Sequence, residues 1–136
     1  MSADIEVQKA MRARLVANTA VTTLVPATSI LDRNETPNPR PSIIMGETQE
    51  VDAGTSLKRT HTRIYHTLHI WTREVSLAGV KTIAGAIRQS MRSRLALAAP
   101  YHCGDLKIST TRFMRDPDGE SSHGVVTVEV LVSEDL

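Results

Sequence analysis

The sequence predicts an α+β fold, a mostly antiparallel sheet of four to five strands with two helices packed on it. Three observations carry this. Residues 59–73, RTHTRIYHTLHIWTR, alternate apolar and polar positions with the period of two that marks a half-buried strand. Residues 76–98 set Leu77, Val80, Ala84, Ile87, Met91, Leu95 and Ala98 at spacings of three and four, one apolar stripe along a helix. Two more alternating runs flank Asp116-Pro117-Asp118-Gly119, where proline and glycine fit a type I turn followed by a bulge, so the chain closes on a strand hairpin. One helix ahead of the strands and one between them give a single α+β domain over 1–136.

Each element follows from local chemistry. Ser2 or Asp4 caps a first helix, and Val7, Met11 and Leu15 share one face while Arg12 and Arg14 point elsewhere. The helix fades in NTAVTTLVPAT, where β-branched residues and Pro26 discourage continuation. SILDR is a short strand. In NETPNPRP, Pro37, Pro39 and Pro41 force an extended surface connection, which leads into SIIMGETQEV as the next strand. DAGTSLK is polar and contains glycine, as a hairpin loop or reaching arm does, and flexible loops are expected at about 33–41 and 47–58. In the long strand, Ile64, Leu68 and Ile70 face one way with Thr62 and His66 between them; Arg63, Tyr65, Thr67, His69 and Trp71 face the other.

On the long helix, Lys81, Arg88 and Arg92 form their own row, and Gly79, Ala86, Ser90 and Ser93 make a face of small residues that admits a close neighbour. Gly79 and Gly85 each cost about 1 kcal/mol in a helix interior, which close packing would offset. PYHCGD breaks the helix, and LKISTTRFM alternates again with Leu106, Ile108 and Met114 on one face. The last strand turns Val126, Val128, Val130 and Val132 inward and Thr127, Glu129 and Ser133 outward, with Val125 and Leu131 as apolar residues on the outer face.

Composition narrows the functions. The net charge of +1 argues against a protein that wraps nucleic acid. Only Phe113, Trp71, Tyr65 and Tyr101 are aromatic, so the core is aliphatic and neither a base-stacking surface nor a carbohydrate platform can be assembled. A single cysteine, Cys103, leaves no internal disulfide and fits a reducing compartment. No signal peptide is expected at Met1, and no run approaches the roughly 20 apolar residues of a membrane span.

Reactive side chains do not converge. His61 and His69 share a strand face but lie roughly 26 Å apart at about 3.3 Å per residue, and His66 points the other way, so the three cannot reach one zinc ion. His102 and Cys103 are adjacent in a turn, and SSH at 121–123 lacks a nucleophile elbow. The acidic residues of DPDGE lack the ligand loop of a calcium site. The row of Lys81, Arg88 and Arg92 is either a solvated helix face or a phosphate contact, which keeps a small nucleic-acid-binding adaptor open. No catalytic residue, metal or cofactor is expected, and the protein reads as no enzyme.

The order of the first helix, LV before a short strand, PRPSIIMGE, a polar loop, HTLHIWTRE, the long helix and DPDGESSHGVVTVEVLV resembles the phage tail completion, or tail terminator, family over residues 5–132. That family is similar in fold to the lambda tail terminator protein. The resemblance implies a homo-oligomeric ring, commonly a hexamer, on the end of a siphophage-like tail tube. Such a ring stops tube polymerisation and meets the head connector, while DNA passes through without specific binding. It implies a virion location, in a phage, a prophage or a gene transfer particle; a head-completion protein of the neck is the alternative. On that reading Tyr65, Trp71, Val125 and Leu131, with Gly79, Ala86 and Ser90 on the helix, are the expected subunit or tube contacts. Lys58, Arg59 and Arg63 are the expected residues facing the lumen, and segments 35–41 and 47–58 the reaching parts.

Overall fold

In the computed structural model, residues 2–32 and 41–136 are described. Helix α1 (Ala3–Ala17) is followed by α2 (Thr19–Leu24), a 3-10 turn (Ala27–Ser29), strand β1 (Ile30–Leu31), β2 (Ser42–Asp52), β3 (His61–Thr72), α3 (Ala78–Ser90), β4 (Tyr101–Arg115) and β5 (Ser122–Glu134). The five strands form one sheet in the order β1-β2-β3-β5-β4. Only the short β1–β2 pairing is parallel. The α+β class holds, with a third helix added.

That third helix arises at Asn18. The residue leaves helical geometry, ending α1, and its side chain accepts a hydrogen bond from the Val21 amide, which starts α2. The stretch that fades by propensity therefore resumes as a short helix, burying Val21 and Val25. All three helices lie on one face of the sheet. Val7, Met11 and Leu15 of α1, and Val80, Ile83 and Ile87 of α3, close on Ile43, Met45, Ile64, Leu68 and Ile70, and on the four inward valines of β5. This aliphatic core matches the alternation read in β3 and β5.

Four expectations are corrected. The arm at 47–58 is half strand, because β2 runs to Asp52 and pairs there with Thr62; only 53–60 is loop. The long helix ends at Ser90, not at Ala98, although Leu95 is still buried. At that end the Arg14 guanidinium donates to the carbonyls of Ser90 and Arg94 (3.4 and 2.7 Å) and to that of Ser93, satisfying acceptors at and just beyond the end of α3. PYHCGD is the start of β4, with Cys103 opposite Val132. Finally, bulges between Cys103 and Asp105 and between Ile108 and Thr110 reset the side-chain parity of β4. As a result Phe113, opposite Gly124, packs against the core, and Met114 goes to the outer face opposite His123. The proline connection lies, apart from Pro41, outside the described residues.

The hairpin turn forms as the residues require. Gly119 adopts φ +75 and its amide donates to the Asp116 carbonyl at 3.1 Å. The Asp118 carboxylate accepts from the Glu120 and Ser121 amides at 2.8 Å each, so this acid is consumed by the turn itself.

Candidate assembly interface

Among the described residues the sheet has helices on one side only, and its other face is left without a covering element. Directly opposed residues of antiparallel strands share a face, so the register lays this face out in rungs. Met114, His123 and Trp71 form the first; Arg112, Val125, His69 and Ile44 the second; Thr110, Thr127 and Thr67 the third. Lys107, Glu129, Tyr65 and Gln49 follow, then Asp105, Leu131, Arg63 and Val51.

Tyr65, Trp71, Val125 and Leu131 thus all lie on one surface, half-buried. They do not form one apolar patch. Val125 and Leu131 sit three rungs apart, separated by threonines and a charged group. That group is an ion-pair row across three strands: Glu129 receives Arg63 at 3.2 Å and Lys107 at 3.6 Å. Partly solvated pairs of this kind contribute about 0–1 kcal/mol each; their effect here is to leave the centre of the face polar, with two cations sharing one carboxylate.

The first two rungs hold an aromatic cluster that strand spacing alone did not reveal. The Trp71 ring stacks on His123 with centroids 4.0 Å apart and 8° between planes. His123 Nε2 lies 2.9 Å from His69 Nδ1, and His69 Nε2 lies 3.2 Å from the Glu47 carboxylate. Burial, and then the charge of His69, push the His123 pKa below its ordinary value. At Glu47 burial pushes upward, but the charge of His69 and hydrogen bonds outweigh it, so the carboxyl titrates below its usual range. Gly46 makes the space for this arrangement: a Cβ there would sit 2.6 Å from the His69 ring and 3.1 Å from the Thr67 carbonyl. The SSH run at 121–123 does not by itself disclose this cluster, because the contact of His123 with His69 depends on a pairing 54 residues apart.

The helix residues are placed elsewhere. Gly79 lines a cleft of about 390 Å³ on the helix side, beside Glu74 and Thr72, and the Glu74 carboxylate occupies the position its Cβ would take. Ala86 packs against the core, and Ser90 is buried, its hydroxyl donating to the Ile87 carbonyl at 2.7 Å. The small residues therefore serve packing within the chain. A Cβ added at Gly85 would meet nothing within 4 Å, so no close approach at that position calls for a glycine.

Lys58 and Arg59 lie in the β2–β3 loop with Leu57, which is 99% exposed. Arg59 is held in the left-handed region at φ 58 and pairs with Asp52 at 3.0 Å. Arg63 stands four residues beyond Arg59, in β3, and belongs to the ion-pair row on the open face. Lys81, Arg88 and Arg92 are exposed, and the Lys81 ammonium lies 5.8 Å from the Phe113 ring centre. Among the described residues no three His, Cys, Asp or Glu are grouped to hold a metal ion. His66, a member of the metal reading, is buried on the helix side and hydrogen-bonded to Gln8. His102 instead meets Asp135 at 2.6 Å, and Ser122 donates to the Glu74 carbonyl at 2.7 Å.

The described residues form a two-layer α+β domain with a bare sheet face. The chain belongs to the family described as tail completion protein gp17, whose model matches residues 9–133. It is a structural protein of a phage-type tail and thus of the virion. Among solved structures it is similar to a chain in the virion of a native gene transfer agent particle, at 18% identity and a TM-score of 0.81, covering 97% of this chain and 98% of that one. No curated protein matches. Among the described residues no helix is long and apolar enough to cross a membrane.

Proposed function

We propose that this single-domain chain forms a homo-oligomeric ring, hexameric as the family resemblance implies, on the end of the tail tube. There it stops tube polymerisation and meets the head connector, and DNA passes through its lumen without specific binding. The chain has no enzymatic role on this reading. The observation that carries it is the open sheet face: Tyr65, Trp71, Val125 and Leu131 lie on it together, in a chain of the tail completion family. The exposed loop at 53–60, with Leu57 and Lys58 projecting, is a second contact, reaching either the tube or the lumen. Arg63, neutralised by Glu129, is the weaker lumen residue of the three.

The test is the mass of the purified protein by light scattering, alone and with tail tubes, followed by imaging of tube ends. A hexamer-sized species, or rings seated at one end of the tube, is the expected result. A monomer that ignores tubes but binds head connectors moves the protein to the neck, and one that binds neither overturns the reading.

A further inference from the structure

The sheet has two unpaired edges of opposite charge. At one end, β4 pairs only with β5, which leaves its outer side open. At the other, β1 covers only Ile43 and Ile44, so among the described residues nothing pairs with 48–52 of β2 on that side. Unpaired edges invite further strands, and proteins that do not use them usually blunt them. The bulges of β4 interrupt its edge but leave 110–115 regular, a six-residue run that matches the five residues free on β2.

The charges are segregated. From Leu106 to Arg115, β4 carries Lys107, Arg112 and Arg115 and no acid; β2 carries Glu47, Glu50 and Asp52 and no base. Arg112 and Arg115 are exposed and have no ion pair among the described residues, and the same is true of Glu50. The faces also agree. Arg115, opposite Ser122, lies on the helix-side face with Glu50, opposite Ile64, and Asp52, opposite Thr62, whereas Arg112 lies on the open face.

We infer that β4 of one copy pairs antiparallel with the free half of β2 of the next copy, extending the sheet head to tail. This rests on the ring reading above and names the contact within it. Strand direction alternates from β2 through β3 and β5 to β4, so an incoming β2 continues the alternation. Each copy offers one edge of each kind, the heterologous arrangement that closes into a ring when the rotation allows. Two-fold pairing is disfavoured at both edges. β4 against β4 sets Arg112 and Arg115 against their own copies, and β2 against β2 opposes Glu50 and Asp52.

The test is charge reversal read by light scattering and by imaging of tube ends. Arg112→Glu with Arg115→Glu, and separately Glu50→Arg with Asp52→Arg, should each lower self-association at least about tenfold. The four changes combined should restore it. To separate misfolding from lost pairing, Glu50→Cys and Arg115→Cys proteins, each also Cys103→Ser, are mixed and oxidised. A cross-link that forms in the mixture and in neither protein alone supports the contact. Cross-linking of either alone, or a wild-type ring unchanged by both reversals and not cross-linked in the mixture, overturns the edge contact and leaves the ring standing. Loss of DNA mobility shift with assembly intact makes the β4 edge a nucleic-acid surface, and also overturns it. A wild-type monomer that ignores tubes removes the ring and this contact together.

Discussion

His66 shows how one side chain sets a pH dependence. Its Nε2–H donates to the Gln8 carbonyl oxygen at 3.1 Å, while Nδ1 is buried without a partner. A second proton would place an unsatisfied N–H in the core, and burial accordingly lowers its pKa. The unfolded chain takes up that proton near its ordinary value of about 6.5, before the folded chain does. Stability is therefore full above that value and falls as pH drops from it toward the folded-state pKa. His123 is lowered in the same direction. The expected outcome is a Tm that declines as pH falls below about 6.5, with a shallower slope in His66→Gln, measured by thermal melts across pH. Two glycines give a contrasting pair. Gly46→Ala pushes on the His69 ring and a backbone carbonyl and should cost about 1–3 kcal/mol in denaturant melts. Gly85→Ala, with open space around it, should stabilise by about 0.5–1 kcal/mol.

Among the elements, α3 depends on a residue 76 positions away at its nearest contact. Arg14→Ala removes the three contacts to the carbonyls of Ser90, Ser93 and Arg94 and should cost about 1–3 kcal/mol, with faster amide exchange in the last turn of α3. Arg14→Lys should recover only part, because an ammonium lacks the planar fork that spans several acceptors. Leu68, fully buried at the centre of β3, should cost about 2–5 kcal/mol on change to alanine, read as a lower denaturation midpoint at constant slope. These elements also mark what the sequence disclosed. The inward faces of β3 and β5 were legible because a period of two in Ile64, Leu68 and Ile70, or in the four valines, has only one burial consistent with it. The end of α3 was not, since Leu95 continues the helical stripe and the residue that meets the carbonyls at that end lies in α1. The facing of Phe113 was not either, because a bulge changes parity without leaving a turn signal in STTRF. For the candidate interface, the open-face positions of Tyr65, Trp71, Val125 and Leu131 could be read from alternation. The histidine cluster could not, since it needs the β3–β5 register. Ser90 looked free because its neighbour α1 is invisible to a helical wheel.

At the scale of the whole molecule, the three helices of the described residues cover one side of a five-stranded sheet, and the proposed assembly places partners on the other. A protein that served alone would have little use for Val125, Leu131, Tyr65 and Trp71 on a bare face, whereas a tail subunit has neighbours to place there. The prediction at this scale is graded: Val125→Asp or Leu131→Asp should leave the monomer's melt nearly unchanged and impair assembly, measured as rings on tube ends. A variant that assembles normally with both changes would remove the open face from the interface. Trp71 is the chain's one tryptophan, and it lies flat against His123 on that face. Its fluorescence is consequently a built-in optical label. An imidazole held against the indole quenches emission more strongly once protonated, so intensity reports the charge of His123 directly. A shift to shorter wavelength on mixing with tubes would report water leaving the same spot, without any dye or tag.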